Sequence, residues 1–139
     1  MTYQDTIKIS TKGFCDLVDI TQKVSDIVFN SEVKEGIVTV FISGSTAWVT
    51  TIEYESGAIE DFQETMERLV PQNADYHHNA KWGDGNGFSH IRASLIGPSI
   101  SIPIYDREMT LGAWQQIVVA DFDNCSRQRE VVAQVVGEK

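Results

Sequence analysis

Basic residues are scarce: 11 Lys and Arg stand against 20 Asp and Glu in 139 residues, a formal charge of −9. That balance excludes duplex nucleic acid as a partner. Neutralising phosphates takes a clustered excess of Lys or Arg, and here only Arg127 and Arg129 lie close together. Cysteine is equally sparse. Cys15 and Cys125 stand near opposite ends and form no Cys-x-x-Cys pair, so neither a disulfide framework nor a thiolate zinc site is expected, only two reduced thiols. No apolar run approaches the roughly 18 residues of a membrane span, and the opening Met1-Thr2-Tyr3-Gln4-Asp5 lacks the basic-then-apolar pattern of a signal peptide. A cytoplasmic protein without a membrane partner is the expectation. Internal repeats and low-complexity tracts are also missing. With 42% hydrophobic residues the chain can bury a core, and its length suits a single domain over 1–139.

What is present reads as strands interrupted by helices. Ile7 and Ile9 alternate with polar neighbours, the period of a half-buried strand. Gly13 marks a turn, Phe14 to Ile20 a second strand, and Thr21 an N-cap for a short helix carrying Val24, Ile27 and Val28 and ending near Asn30. Ile37 to Ile42 is a β-branched run read as a central strand, followed by the polar segment Ser43–Thr46 and another strand from Val49 to Glu53. Ile59, Phe62, Met66, Leu69 and Val70 recur at helical spacing before Pro71. From Pro71 to His90 the composition is that of a loop, long enough to be functional. A short helix over His90–Ile96 is expected to end at Gly97-Pro98. Ser99 to Ile104 alternates, with Pro103 pointing to an edge or a strand end, and Tyr105–Glu108 is a hairpin turn. Strands around Gln115–Phe122 and Arg127–Val136 complete the chain, joined by a turn at Asp123–Ser126. The class is α+β. Because these last apolar runs exceed one small sheet face, a second sheet or a subunit contact must cover them.

The histidines, His77, His78 and His90, all fall in or beside the polar segment. Imidazole is the commonest transition-metal ligand, and the Gly-rich stretch between His78 and His90 can turn back and bring the two together. Ordinary loop histidines are the alternative. Glu53 and Glu55 share a face if their segment is a strand, serving a metal or a general base, or merely facing solvent. Asp84-Gly85-Asn86-Gly87 is a tight-turn composition without the downstream Glu of an EF-hand. Gly44-Ser45-Thr46 after a strand can offer hydroxyls and amides to a phosphate, but no Walker Lys follows. Arg127 and Arg129 share a strand face and can meet a phosphate, or pair with Asp121 and Asp123. Trp114-Gln115 is either core packing with a buried amide or part of a site.

In register, Gly44-Ser45-Thr46-Ala47 with Glu53, Tyr76-His77-His78-Asn79, Asp84-Gly85-Asn86-Gly87 leading to His90, Ser94–Ser99, Leu111-Gly112-Ala113-Trp114-Gln115 and Arg127-Gln128-Arg129 resemble the YjbQ-like family, also labelled secondary thiamine-phosphate synthase. The resemblance covers nearly the whole chain. It implies a β-sandwich of two mixed sheets with two to three helices, and a homotrimer. It implies catalytic positions at His78, His90, Glu53, Asp84 and Gln115, with a divalent metal, Zn or Mg, on His78, His90 and Glu53. Ligand contacts would come from Ser45, Thr46, Asn79, Asn86, Trp114, Arg127 and Arg129. The reaction it implies joins an aminopyrimidine diphosphate to a thiazole phosphate with release of pyrophosphate. The alternative is a non-catalytic trimeric module holding a metal or a small phosphorylated ligand in the same pocket. Three positions depart from the family pattern: Ser45 and Ala113 stand where Thr is commoner, and Cys125-Ser126 where Gly-Pro often precedes the arginine. The change at 113 loses a hydroxyl beside Trp114.

Overall fold

Alternation of buried and exposed side chains builds the larger of two sheets, and unbroken burial builds the smaller. The computed structural model describes residues 1–139. Along the chain run β1 (Thr2–Thr11), β2 (Asp16–Asp19), α1 (Thr21–Ser31), β3 (Glu35–Ile42), β4 (Ala47–Ile52), α2 (Ser56–Leu69), α3 (His77–Trp82), α4 (Gly87–Ile96), β5 (Ser99–Tyr105), β6 (Glu108–Met109), β7 (Gln116–Asp121) and β8 (Arg127–Glu138). The five-stranded sheet has the order β1-β8-β3-β5-β6 and the three-stranded sheet β2-β7-β4, with antiparallel pairing throughout. This is the expected α+β class with two sheets.

The inner face of the large sheet, including Ile7, Val38, Val40, Ile102, Val131 and Val135, packs with α1 residues Val24, Ile27 and Val28 and with Val49, Ile117 and Val119 of the small sheet. The other face of the small sheet buries Leu17, Trp48, Val118, Ala120 and Phe122 against Met66 of α2 and Ala93 of α4. Trp48 and Phe122 meet edge to face with ring centroids 4.7 Å apart, a favoured aromatic geometry. The run Ile117-Val118-Val119-Ala120 is therefore covered on both faces within one chain and needs no partner. What stays open is the outer face of the large sheet. Its outward positions include the uncharged Gln4 and Thr6, Ile37, Thr39 and Phe41, Ser101 and Pro103, and Val132, Gln134 and Val136, with Ile37 and Val136 each 50% exposed; Lys8 stands opposite Glu130 towards one end of this face, and Glu35 opposite Glu138 at the other.

Several local expectations are corrected. Phe14 and Cys15 take left-handed φ of 53° and 71°, so the turn begun at Gly13 extends through them and β2 starts only at Asp16. The N-cap of α1 is Ile20, not Thr21; Thr21 Oγ1 instead donates to Asp19 at 2.6 Å and accepts the Ile117 N–H at 2.8 Å. Pro103 lies inside β5, tolerated because β6 pairs with only two residues of that strand. The segment from Pro71 to His90 contains α3 and the first turn of α4, giving four helices. The turn at Asp123–Ser126 joins strands of different sheets.

Candidate functional site

Local packing brings two histidines together. The Gly87 N–H, opening α4, donates to Asn79 Oδ1 on α3 at 2.8 Å. A Cβ at Gly87 would lie 2.6 Å from Tyr76 Cβ, so the close approach of these two short helices requires glycine. His78 and His90 consequently face one another with ring centroids 4.6 Å apart. His78 Nδ1 is buried and lies 3.3 Å from Asp84 Oδ1. The loop bearing Asp84 is latched to the β7–β8 turn: Asn124 Nδ2 donates to the Asp84 carbonyl at 2.8 Å. The buried Asn86 amide lies between two carboxylates, within 3.0 Å of Asp84 in one amide orientation and 3.5 Å of Asp123 in the other. The first orientation satisfies more partners and couples Asn86 to the histidine pair. His77 lines another hollow with Asp75, Tyr76 and Asn79, since adjacent helical residues diverge by about 100°.

His90 also borders a cleft of about 390 Å³ between Gly44, Ser45 and Ala47 on one wall and Ala93 and Ser94 of α4 on the other. Ser89 Oγ, donating to the Phe122 carbonyl at 2.5 Å, and Arg92, whose Nε donates to the Val70 carbonyl at 3.0 Å and whose Nη2 pairs with Glu67 at 2.8 Å, fasten α4 in place. Nothing in the sequence singled out Ser89 or Arg92. Their burial, 0% and 3% exposed, follows from tertiary packing.

Glu53 does not join the histidines within a chain. It lines a separate hollow with Asp19, Glu55 and Trp114. The physical reason is strand length: Ala47 at the start of β4 borders the His90 cleft, and Glu53 lies past its end, roughly 20 Å on at about 3.3 Å per residue. Trp114 is 76% exposed, not core. Gln115 turns its amide inward on its own loop, accepting from Gly112 N at 3.1 Å and donating to Thr51 Oγ1 at 3.2 Å. Nowhere do three or more His, Cys, Asp or Glu side chains converge as a metal cage. His78 and His90 are thus the two imidazoles this chain could offer a zinc ion, short of a full set of four ligands. Magnesium, which takes oxygen ligands, fits two imidazoles poorly.

The arginines are largely engaged. Arg127 Nε pairs with Asp123 Oδ2 at 2.7 Å, and Arg129 Nε with Asp121 Oδ2 at 2.7 Å. Arg129 Nη2 also donates to Thr46 Oγ1 at 2.6 Å, which in turn donates to Asp123 at 3.2 Å. Thr11 Oγ1 donates to Asp121 as well. Asp121, Asp123 and Arg129 are buried, so the Arg129 pair is internal, whereas Arg127, half exposed, pairs at the surface as the sequence suggested. Burial alone would raise the Asp123 carboxyl, but the hydrogen bonds from Arg127 and from the Asn124 backbone, with the charge of Arg127, outweigh it and hold it below the usual 3.8. The legible signal was the alternation Asp-Phe-Asp beside Arg-Gln-Arg, opposite charges on matching faces.

A family model described as "UPF0047 protein YjbQ-like" matches residues 5–138. A UPF0047 protein of Methanothermobacter thermautotrophicus is 36% identical over 136 residues, covering 98% of this chain and 93% of the relative. The UPF0047 protein YjbQ of Salmonella typhimurium is 30% identical over 142 residues, covering 99% of this chain and 100% of the relative. Among solved structures, a YbjQ-like protein of unknown function from Sulfolobus solfataricus superimposes with a TM-score of 0.94 at 30% identity, covering 99% of both chains.

Proposed function

The chain belongs to the YjbQ-like UPF0047 family, and from that membership together with its paired imidazoles we propose that it joins an aminopyrimidine diphosphate to a thiazole phosphate, releasing pyrophosphate. The observation that carries the reading is the 4.6 Å separation of the His78 and His90 rings beside Asp84, on the rim of a cleft walled by Gly44 and Ser45. In this reaction the thiazole nitrogen forms a bond to the pyrimidine methylene carbon. The carbon–oxygen bond to the diphosphate breaks, and its electron pair leaves with pyrophosphate. No proton need be abstracted, so the protein's task is to orient two rings and to stabilise charge growing on the leaving group. Asp84, 3.3 Å from His78 Nδ1, is placed to orient that ring, and without a metal the ring N–H of His90 would donate a hydrogen bond to the departing oxygen. A zinc ion, held by His78 and His90, would add positive charge at the same place.

A second reading, a trimeric module that binds a small phosphorylated ligand without turnover, is favoured by two features. Glu53 and the histidines occupy separate hollows within one chain, and both arginines are tied to buried aspartates. Homotrimer formation is part of either reading. The centre of the large sheet's outer face, around Thr39, Phe41, Val132 and Gln134, is uncharged and suits a second copy, with charges only towards its ends at Lys8 and Glu130 and at Glu35 and Glu138. The test is a direct coupling assay with and without zinc, alongside zinc titration of His90→Ala. Expected are loss of turnover and of zinc affinity with the fold retained, a stability change of about 1 kcal/mol or less, and full activity in His77→Ala. Wild-type protein inactive under every metal condition would leave the binding module.

A further inference from the structure

The cleft beside His90 has one wall whose hydrogen-bonding groups the chain leaves unused. The turn between β3 and β4 is pinned at both ends: Ser43 N–H donates to the Glu130 carbonyl at 3.4 Å, and the Thr46 carbonyl accepts from Phe122 N at 2.9 Å. Between those pins, the backbone N–H groups of Gly44, Ser45 and Thr46 donate to no acceptor in the chain. Gly44 holds φ at +113°, in the region that glycine alone adopts readily. Successive amides of this kind form a concavity for an anion.

Arg129 stands behind the turn. Its Nε and Nη2 are committed to Asp121 and Thr46, but Nη1 donates to nothing. A Cβ on residue 44 would come within 2.8 Å of Nη1, so only a glycine there lets the guanidinium lie against the turn. The side chain is nine-tenths buried, 9% exposed, and so keeps one orientation. Arg127 differs, being half exposed with its Nε on Asp123. The opposite wall has the reverse polarity. Ser94 and Gly97 belong to the C-terminal end of α4, the negative end of a helix dipole, so an anion is confined to the Gly44–Thr46 side, and a ligand's donor group is favoured towards α4.

We propose that the free amides of Gly44 and Ser45 on the cleft wall, backed by the Thr46 amide and by Arg129 Nη1 against Gly44, form the seat for the terminal phosphate of a small phosphomonoester whose organic part lies along α4 to His90. This deepens the preceding reading, resting on it for the assignment of His90 to the reacting end. The seat is local and works against an overall negative charge, which makes affinity for bare inorganic phosphate weak and strongly salt-dependent.

The experiment titrates the full-length protein with inorganic phosphate and with glycerol phosphate at fixed ionic strength, following backbone amide resonances. The Gly44, Ser45 and Thr46 amides should shift together and saturably, more tightly for the monoester. Ser45→Asp places a carboxylate at the mouth of the seat on an exposed residue with no side-chain hydrogen bond, so the fold is kept. It should weaken binding about tenfold or more by like-charge repulsion, whereas Asn30→Asp, the same charge change at the exposed end of α1, should not. Phosphate shifts confined to His78 and His90, or Ser45→Asp binding like the wild type, would overturn the seat. Turnover that survives Ser45→Asp unchanged would overturn it while leaving the coupling reaction standing. Saturable shifts of the turn in a protein without turnover would support the seat and leave only the binding module.

Discussion

Cys15 and Cys125 are alike in sequence and opposite in environment. Cys15 is 3% exposed, and burial pushes its thiol up to about 12, so the reactive thiolate is almost absent near neutral pH. Cys125 is exposed. One thiol per chain should therefore be alkylated by iodoacetamide in the folded protein and the second only in denaturant; mass spectrometry that finds Cys15 modified under native conditions would contradict this. Arg129 is the residue on which most depends energetically. Its removal strands Asp121, which has 0% exposure, and uncompensated buried charge costs about 3–5 kcal/mol. Arg129→Ala should accordingly lower the urea midpoint strongly. Acid should act on the same network through Asp123. Because its folded pKa is depressed, its contribution is complete above the unfolded value and is lost as pH falls below the usual 3.8 through the lower folded value. Asp123→Asn should flatten that part of the stability profile.

Among the elements, β3 and β8 approach most closely where Gly36 faces Gly137. A Cβ on Gly137 would stand 2.3 Å from the Glu35 carbonyl oxygen and 2.8 Å from Gly36 Cα. Both obstacles are backbone, which cannot swing aside, so Gly137→Ala should destabilise by about 1–3 kcal/mol, read as a lower thermal midpoint. Had this pair been ordinary strand glycines, the substitution would be neutral or helpful. The helix α2 starts differently from expectation too: Glu55, not a strand residue paired with Glu53, caps it by accepting from Gly57 and Ala58 N–H groups at 2.8 and 2.9 Å, and those bonds lower its pKa. Periodicity showed the body of that helix, whereas the cap is a property of the turn before it.

For the whole molecule, the uncharged centre of the outer face of the five-stranded sheet is the surface that the proposed trimer would use. Phe41 is 42% exposed near its middle and lines a shallow hollow with Val132 and Gln134. Light scattering at micromolar concentration should give three times the chain mass of 15.5 kDa, and Phe41→Glu, by burying a charge at the contact, should shift the mass towards the monomer. A wild-type monomer would refute the assignment. Of the last apolar strands only Val132 and Val136 are left for a partner to cover, because α2, α4 and the large sheet already cover Ile117–Ala120.

Sequence alone determined the α+β class, most strand and helix bodies, the family and the meeting of His78 with His90. Each of these is written in short-range periodicity, in composition or in motifs with fixed spacing. It could not show that Pro71–His90 holds a helix, since the six residues of α3 carry no amphipathic stripe and are stabilised by Asn79 and Tyr76 packing on Gly87. Tertiary structure decided the partners of side chains. It parted Glu53 from the histidines by the length of one strand, and it turned Arg129 inward on Asp121 where two sheets meet while Arg127 stayed half exposed over Asp123. It also left the Gly44–Thr46 amides bare beside Arg129. Such pairings join residues far apart in the chain, and their energies depend on burial and on which face of each sheet is covered, quantities that no local pattern of residue types encodes.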